Sequence, residues 1–303
     1  PLDLYSQMWF LSPELLGFRS YFAFQARYGI VQRRSMGVHS FNQVVGFQRL
    51  DELSDKLSDC SFRVRKEDCL DLPSKIYTRR EVELTPEQNK AYGEMTTLAL
   101  TRLKNGELAT TQNILTQIMR LQQICCGHIR DDNEIIHELP SNRLNTLLAT
   151  IEEVRGKVLI WGTWTRDILA IAKALRDRYG GDTLSPVAAT LHGQTPPSER
   201  QGIVDTFQDP DSSLRFIVGH PKTGGYGLTL TAANTVLYYN NGYDLELRMQ
   251  SEDRAHRIGQ KNNVTYIDLI SPGTIDEKIV KALRKKINIA TAILKEDVKD
   301  WLI

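Results

Sequence analysis

The stretch KVLIWGTWTRDILAIAKAL, residues 157–175, changes from the apolar pattern of a strand to that of a helix. Residues 157–162 form a continuous apolar run of strand length, and residues 165–179 then follow the spacing of an amphipathic helix. Similar runs recur after this stretch, as VAATLHG, RFIVGH, TVLYYN and VTYIDLI, and further helices are predicted over 142–154, 197–207 and 246–256. Strands that alternate with helices predict an α/β fold, with a parallel sheet over 143–275 covered by helices on both faces. Ligands of such sheets are expected at the carboxyl ends of the strands.

The sequence before residue 142 follows a different pattern. Residues 1–60 are rich in aromatic residues at helical spacing and predict short helices, in which we expect the aromatic rings to pack in a core. The segment SKIYTRREVEL predicts a strand. Residues 86–128 predict a long helical stretch that is interrupted near Asn105-Gly106. The segment DDNEIIHELPSN predicts a loop or a short hairpin. We therefore divide the chain into a helical region (1–60), a connector with a helical protrusion (61–142), the sheet domain (143–275) and a helical tail (276–303).

Composition restricts the class of protein. The 303 residues carry a formal net charge of only +1, so any contact with nucleic acid must come from a local groove and not from bulk charge. Cys125, Cys126 and His128 leave a metal site conceivable, but buried thiols on a helix are the favoured interpretation, and we assign no metal ligands. This cysteine usage is typical of a reducing, intracellular compartment, either a prokaryotic or virus-infected cytoplasm or a nucleus. No apolar run approaches the roughly 20 residues of a membrane span.

The segment QSEDRAHRIGQ, residues 250–260, contains two arginines three residues apart, Arg254 and Arg257. On a helix they would share a face, and two guanidinium groups on one face suit a polyphosphate. Glu252 and Asp253 leave open the alternative of a solvated salt-bridge surface.

The segment FIVGHPKTGGYGLTLTAANTVLYYN, residues 216–240, combines glycines with hydroxyl residues. Gly224, Gly225 and Gly227 predict a loop whose backbone can approach phosphate closely, and Thr229 and Thr231 are expected at the start of the next helix. An ordinary turn is the alternative. In LHGQTPPSERQGIVDTF, residues 191–207, the alternatives for Gln194-Thr195 are a phosphate contact and a helix cap.

Together these segments resemble motifs IV, V and VI of superfamily-two helicases, and the ED-R-x-H-R-x-GQ form resembles the Swi/Snf family of DNA translocases. The resemblance extends upstream through FRVRKEDCLDLPSK, which is similar to the connector into the family's second lobe, and covers almost the whole chain. The chain departs from the family at residues 220–223, where His-Pro-Lys-Thr replaces Ser-Thr-Arg-Ala.

The resemblance implies a RecA-like second motor lobe, preceded by the end of the first lobe. Arg254 and Arg257 would be arginine fingers, and the nucleotide side would also include Gln250, Gly225 and Gly227. The implied contacts with double-stranded DNA are Gly193, Gln194, Thr195, Lys222, Thr229 and Thr231. ATP and Mg²⁺ would be held mainly by the first RecA-like lobe of the parent chain. The present sequence contains no G-x-x-x-x-G-K-[ST] loop and no acidic Mg²⁺ motif, so this chain alone is predicted to be inactive.

Three other functions remain to be weighed. A strand-separating helicase or a restriction-type motor subunit would use the same lobe. A catalytically silent scaffold would be expected to have lost the two arginines. A dinucleotide-binding domain would require the G-x-G-x-x-G spacing, which residues 224–227 lack.

Overall fold

The computed structural model describes residues 1–36, 39–62, 69–105, 111–131, 133–180, 186–224 and 227–285. The chain forms two compact units, Pro1–Leu70 and Asp71–Ile303. Beyond Lys285, the predicted helical tail lies outside the described residues.

The first unit contains three short helices and a β-hairpin. Its elements are α1 (Asp3–Leu11), α2 (Tyr21–Tyr28), β1 (Gly29–Met36), β2 (His39–Phe47) and α3 (Leu50–Ser58). Its core is formed by Leu16, Phe24, Tyr28 and Leu53, and the rings of Tyr5 and Phe18 pack on Phe24. The expected packing of aromatic residues is confirmed for this cluster, whereas Phe10 and Phe22 are largely exposed.

The antiparallel hairpin β1–β2 was not predicted from the sequence. Its strands pair from Gly29 opposite Phe47 to Met36 opposite His39. Polar residues such as Gln32 and Gln43 occupy both strands and obscure the alternating apolar pattern by which a half-buried strand is recognised. The region 1–60 therefore contains a sheet element in addition to the expected helices.

The second unit is built on the predicted parallel sheet. Its elements are β3 (Lys75–Glu81), α4 (Pro86–Lys104), α5 (Thr111–Cys125), β4 (His128–Arg130), β5 (Ile136–Glu138), α6 (Arg143–Glu152), β6 (Lys157–Trp161), α7 (Thr165–Tyr179), β7 (Ala188–Leu191), α8 (Pro197–Gln208), β8 (Phe216–Gly219), α9 (Pro221–Gly224), β9 (Ala233–Tyr238), α10 (Leu245–Ala255), β10 (Val264–Ile270) and α11 (Ile275–Arg284). Six strands form one sheet in the order β3-β10-β9-β6-β8-β7, and all neighbours are parallel. The short β4–β5 hairpin confirms that residues 131–142 take part in a hairpin, but its first strand, His128–Arg130, begins at the last residue of the predicted helical stretch 86–128.

Successive residues of the central strand β6 point to opposite faces of the sheet. Val158 and Ile160 pack in one core with residues of α6 and α7, including Leu147 and Ile171. Leu159 and Trp161 pack in the other core with residues of α8 and α10. Helices therefore cover both faces, as predicted.

The sheet takes one edge strand from outside the predicted 143–275 domain. Strand β3 comes from the predicted connector and pairs with β10 over its whole length. Helix α4 begins with a capping box, in which the Gln88 backbone N–H donates to the Thr85 hydroxyl and the Thr85 N–H to the Gln88 side chain. Helices α4 and α5, which form the predicted protrusion, share an apolar cluster with α11. The protrusion therefore packs against the helix that begins the predicted C-terminal tail, within the same unit.

None of the described helices has both the length and the apolar character needed to cross a bilayer.

Candidate nucleotide and nucleic-acid site

The candidate residues lie at two opposite edges of the sheet. We define the carboxyl edge by the loops after β6, β7, β8 and β9 (residues 162–164, 192–195, 220–224 and 239–241), and the amino edge by the segments that lead into β9 and β10 (residues 227–233 and 254–264). Helix α10 connects the end of β9 to the start of β10, so it returns from the carboxyl edge to the amino edge. Strand β9 has six residues, which at ~3.3 Å per residue separates the edges by roughly 15–20 Å.

The two arginines belong to the amino edge, and the expectation that all the motifs lie at carboxyl ends is wrong for them. Gln260 donates its side-chain amide to the carbonyls of Thr231, Ala233 and Ala255, at distances of 2.9–3.1 Å. These bonds tie the end of α10 to the start of β9. A helix that follows a parallel strand must return to the opposite edge, and this return determines where the arginines lie.

Arg254 and Arg257 do not share a helix face, contrary to the prediction. Helix α10 ends at Ala255, and His256 has left the helical region at φ −96° and ψ 78°. Gly259, at φ +97°, then adopts a left-handed conformation that favours glycine. The spacing of three residues therefore spans the end of a helix, with Arg254 in its last turn and Arg257 in the turn that follows.

The two guanidinium groups nevertheless interact electrostatically. Burial, together with repulsion from Arg257, lowers the pKa of Arg254, although Asp253 opposes this shift. The Arg254 Nη1 atom lies 3.5 Å from the Leu228 carbonyl oxygen. Arg257 is exposed and forms no ion pair within the described part of the chain. Two neighbouring cations, one partly desolvated, form a place where an added anion would relieve repulsion.

The two acidic residues next to Arg254 bind other partners. The Glu252 carboxylate is buried, accepts hydrogen bonds from Arg248 Nε at 2.9 Å and the Tyr77 hydroxyl at 2.7 Å, and lies 3.2 Å from Lys75 Nζ. Lys75 Nζ also lies 3.5 Å from the Asp253 carboxylate. The alternative of a solvated salt-bridge surface is therefore wrong for Glu252, which is fixed inside the unit.

Three further residues, Gln250, Gly225 and Gly227, were predicted near the nucleotide on the basis of the glycine-rich segment and motif VI. Gln250 is exposed one turn before Arg254, on the same face of α10, and its amide donates to Glu246 at 3.1 Å. Gly227 has φ +76°, while Gly225 lies outside the described residues. The predicted helix after the glycines is absent from the described residues 227–232; the short helix α9 instead ends at the first glycine, Gly224.

Thr229 and Thr231 consequently lie in the loop that enters β9, not at a helix start. The Thr231 hydroxyl accepts a hydrogen bond from the Gln208 amide at 3.0 Å. The neighbouring Leu230 N–H donates to the Arg254 carbonyl at 2.9 Å. Both threonines, predicted as nucleic-acid contacts, are thus on the amino edge beside the arginines.

The carboxyl edge brings together the other predicted contacts. Gly193 and Gln194 are exposed at the tip of the turn after β7, and a Cβ atom at Gly193 would meet nothing within 4 Å. The Thr195 side chain is buried. Its hydroxyl accepts a hydrogen bond from the His192 N–H at 3.1 Å and donates one to the Thr190 carbonyl at 3.3 Å. It neither caps α8 nor is free to bind phosphate; it fixes the turn that presents Gly193 and Gln194.

Lys222 provides the positive charge of this edge. It is exposed on α9, and its backbone N–H donates to His220 Nδ1 at 3.0 Å. Burial and the charge of Lys222 lower the pKa of His220, which favours the neutral imidazole. The Lys222 ammonium group pairs with no described carboxylate.

The carboxyl edge also depends on Asn240, which was not predicted. Its side-chain oxygen accepts from the Thr163 backbone N–H at 2.7 Å, and its amide group lies 3.3 Å from Cys126 Sγ. Asn240 thereby holds the loop after β6 against the loop after β9. Its position directly after the apolar run TVLYY is the available signal, since polar residues that follow a buried strand line this edge of a parallel sheet.

The described residues contain no group of three or more His, Cys, Asp and Glu side chains that could hold a metal ion. Cys125 and Cys126 are free buried thiols, in agreement with the favoured interpretation. The two arginines, by contrast, carry the positive charge and the planar N–H donors that phosphate groups accept.

Comparison with known proteins finds one family model that matches part of the chain and several similar proteins. The helicase conserved C-terminal domain matches residues 139–259. An uncharacterised ATP-dependent helicase of Mycoplasma genitalium is 28% identical over 98% of this chain and 27% of its own length. The SWI/SNF-related matrix-associated actin-dependent regulator of chromatin subfamily A member 1 of Mus musculus is 28% identical over 74% of this chain and 22% of its own length.

A solved structure extends the likeness to three dimensions. The Sulfolobus solfataricus SWI2/SNF2 ATPase core in complex with double-stranded DNA is 26% identical, with a TM-score of 0.56, over 98% of this chain and 60% of that one. The present chain spans about a quarter of the length of the two curated relatives. Its parallel sheet is RecA-like, and the chain is similar to Swi/Snf proteins, with a superfamily-two helicase-like C-terminal region.

Proposed function

We propose that this chain is the second motor lobe of an ATP-dependent translocase that moves on double-stranded DNA. The amino edge would serve the nucleotide through Arg254 and Arg257, and the carboxyl edge would serve the DNA backbone. The observation that carries the proposal is the pair of neighbouring arginines, one partly buried and one exposed, at the end of α10.

The two arginines would neutralise charge that develops on a phosphoryl group during its transfer. An arginine finger contributes about 10³–10⁵ in rate, which corresponds to roughly 4–7 kcal/mol. The lowered pKa of Arg254 supports this role, because an approaching anion would offset both its desolvation and its repulsion from Arg257.

ATP and Mg²⁺ would be held mainly by a first RecA-like lobe of the same parent chain, since the sequence here contains no phosphate-binding loop. Bound ATP supplies the phosphoryl group, and the residues of this chain complete its surroundings. Separated from that lobe, the chain is expected to release no phosphate from ATP. Its free thiols fit an intracellular site of action.

The exposed tip at Gly193 and Gln194, together with Lys222, would contact phosphates of the DNA backbone. Such contacts position a protein without reading sequence, so the motor should move on any sequence. The Sulfolobus ATPase core, which is similar over most of this chain, was solved with double-stranded DNA, and this supports the choice of partner.

The test replaces Arg254 or Arg257 by Ala in the full-length protein. Each replacement should reduce DNA-stimulated ATP turnover by about 10²–10⁵ and change ATP affinity far less, because the finger charge matters most in the transition state. Arg178→Ala is a matched control, since Arg178 lies in the last turn of α7 and pairs at the surface with Glu152. If both arginine variants keep more than about a tenth of the rate, the fingers are assigned wrongly.

A strand-separating helicase is the second candidate, supported by the name of the Mycoplasma relative, an ATP-dependent helicase. The two candidates differ in what happens to the duplex. Displacement of a third strand without separation of the duplex would support the translocase, and ATP-dependent release of single strands would support the helicase.

A further inference from the structure

The chain enters its second unit beside the two arginines. The second unit begins at Asp71, and the edge strand β3 begins at Lys75. We define residues 71–75 as the entry segment. Because β3 is parallel to β10 and Lys75 pairs with Val264, the entry segment lies at the amino edge of the sheet.

Backbone groups of the entry segment are bonded to the residues after α10. His256, which lies between the two arginines, faces the Pro73 carbonyl with Nε2 at 2.7 Å. A carbonyl only accepts, so Nε2 carries the proton of this bond. The Ser74 N–H donates to the Asn263 side chain at 3.1 Å, and the Val264 N–H donates to the Ser74 carbonyl at 3.1 Å.

The side chain of Lys75, the last residue of the entry segment, contacts the last turn of α10. Lys75 Nζ bridges the carboxylates of Glu252 and Asp253, the two residues immediately before Arg254. The Lys75 side chain is 26% exposed and that of Glu252 is 10% exposed, so this pair is less screened by water than a surface salt bridge. The Lys75 ammonium also lies 5.6 Å from the centre of the Tyr266 ring.

Lys75 can be removed without dismantling the interior, because Glu252 keeps other partners. Arg248 and the Tyr77 hydroxyl still donate to its carboxylate, and the Tyr266 hydroxyl donates to its carbonyl at 2.9 Å. Loss of Lys75 would therefore leave α10 folded but would free one side of its last turn. This separates an effect on arginine placement from an effect on folding.

We propose that Lys75 and the Pro73–His256 contact are positioning elements for Arg254 and Arg257, so that the path of the entry segment sets where the guanidinium groups lie. This inference rests on the proposed function of the two arginines. A displacement of about 1 Å at a reacting centre can cost on the order of 100-fold in rate. The segment by which the chain enters the unit thus acts on ATP turnover without touching the nucleotide.

The experiment uses the full-length protein and the variant Lys75→Met, which keeps the length of the side chain and removes its charge. We expect kcat for DNA-stimulated ATP turnover to fall by about 10–100-fold, while KM for ATP stays within about threefold, the pattern of an interaction made only in the transition state. The melting temperature should fall by less than about 4 °C, the shift expected for ~1 kcal/mol. Lys75→Arg should restore most of the rate, because it keeps a cation at the two carboxylates.

Arg79→Met is the matched control. Arg79 lies on the same face of β3, four residues further, and pairs with Glu81 and Glu277, not with the arginine segment. His256→Gln, which keeps a donor near Pro73, should retain more turnover than His256→Leu.

Three outcomes would overturn the inference: turnover of Lys75→Met within twofold of the wild type, an equal loss in Arg79→Met, or a loss in Lys75→Met that appears in KM alone. In each case Arg254→Ala and Arg257→Ala decide whether the proposed function survives. If those two variants are inactive while Lys75→Met is fully active, only the positioning inference fails. If they are active as well, the proposed function fails.

Discussion

The interior around Arg143 and the amino edge around Arg257 use the same side chain in opposite ways. Arg143 is completely buried, and its guanidinium donates to the carbonyls of Cys125, Tyr239 and Leu269, to the Ser271 hydroxyl and to the Asp276 carboxylate. Arg257 is exposed, and its guanidinium forms no ion pair with a described residue. An arginine whose donors are all bonded within the chain has no capacity for a ligand, whereas one that is left open retains it.

The physical reason is the cost of burial. A charged group taken out of water must be compensated by partners, so the α5, β9, β10 and α11 groups around Arg143 fix those elements to one another. The amino edge avoids this cost by leaving Arg257 in water and Arg254 only partly buried. The comparison predicts that replacing the buried Arg143 lowers folding stability, whereas replacing Arg254 or Arg257 lowers ATP turnover.

The largest effect on folding stability is expected for Arg143→Met in the purified chain. Removing one partner of a buried ion pair leaves the Asp276 carboxylate without its cation, which costs about 3–5 kcal/mol. Urea unfolding followed by circular dichroism measures the loss. Arg178→Met, which breaks only a surface pair, should cost less than about 1 kcal/mol. An Arg143→Met protein as stable as the control would show that the interior network is not structural.

A second prediction concerns the buried pair of His128 and Asp167, whose side chains lie 3.7 Å apart. Burial raises the pKa of Asp167 from 3.8 to about 7, against the opposing charges of Arg166 and Arg143. Burial, reinforced by Arg166, lowers the pKa of His128 from 6.5 to about 4. Between about pH 4 and 6.5 the folded state therefore holds an extra proton on Asp167 and lacks one on His128.

The protonation of Asp167 and that of His128 change the free energy of unfolding with pH in opposite directions, so their effects should largely cancel in the wild type. Asp167 makes stability fall as pH rises from about 4 to about 7, because the unfolded carboxyl has already lost its proton. His128 makes stability rise from about pH 4 to 6.5, because the unfolded imidazole is still protonated. His128→Gln should thus lose stability as pH rises over this range, and Asp167→Asn should gain it. Urea midpoints at pH 4.5 and 6.5 measure both slopes, and two flat profiles would contradict the assignment.

The smallest effect is expected for Lys222→Ala at the carboxyl edge of the full-length protein. Loss of one phosphate contact should reduce the slope of log K against log salt by about 0.9 on duplex DNA. Lys173→Ala is the control, since Lys173 is exposed on α7 and pairs with Asp177. Fluorescence anisotropy with a labelled duplex at several salt concentrations gives both slopes. Equal slopes for Lys222→Ala and the wild type would remove Lys222 from the DNA contacts.

The local sequence pattern predicted the strands of the sheet, but it did not predict all of the pairings between them. The apolar runs from residue 157 onward predicted β6 to β10, because strands buried on both faces have little choice of residue type. The same pattern predicted β3 as a strand but not as the edge of this sheet, since the pairing of Lys75 with Val264 joins residues far apart in the chain. The β1–β2 hairpin was missed because its polar residues follow no clear period.

The site was predicted by residue type more successfully than by geometry. Arg254 and Arg257 were placed on one helix face, although tertiary bonds from Gln260 and Pro73 draw the chain out of the helix at His256. Thr195 was expected to cap a helix or bind phosphate, but its hydroxyl bonds within its own turn. Spacing along a sequence shows which residues are close; it does not show where a helix ends or which hydroxyl is already bonded.

The division of labour between the two edges is tested most directly by one titration. ATP turnover of the full-length protein is measured against duplex DNA concentration for the wild type, Arg257→Ala and Lys222→Ala. We expect Arg257→Ala to lower the maximal rate by about 10²–10⁵, with melting temperature unchanged. Lys222→Ala should instead raise the half-saturating DNA concentration and leave the maximal rate intact. If Lys222→Ala lowers the maximal rate as Arg257→Ala does, or if Arg257→Ala shifts only the DNA concentration required, the two edges do not divide the work in this way.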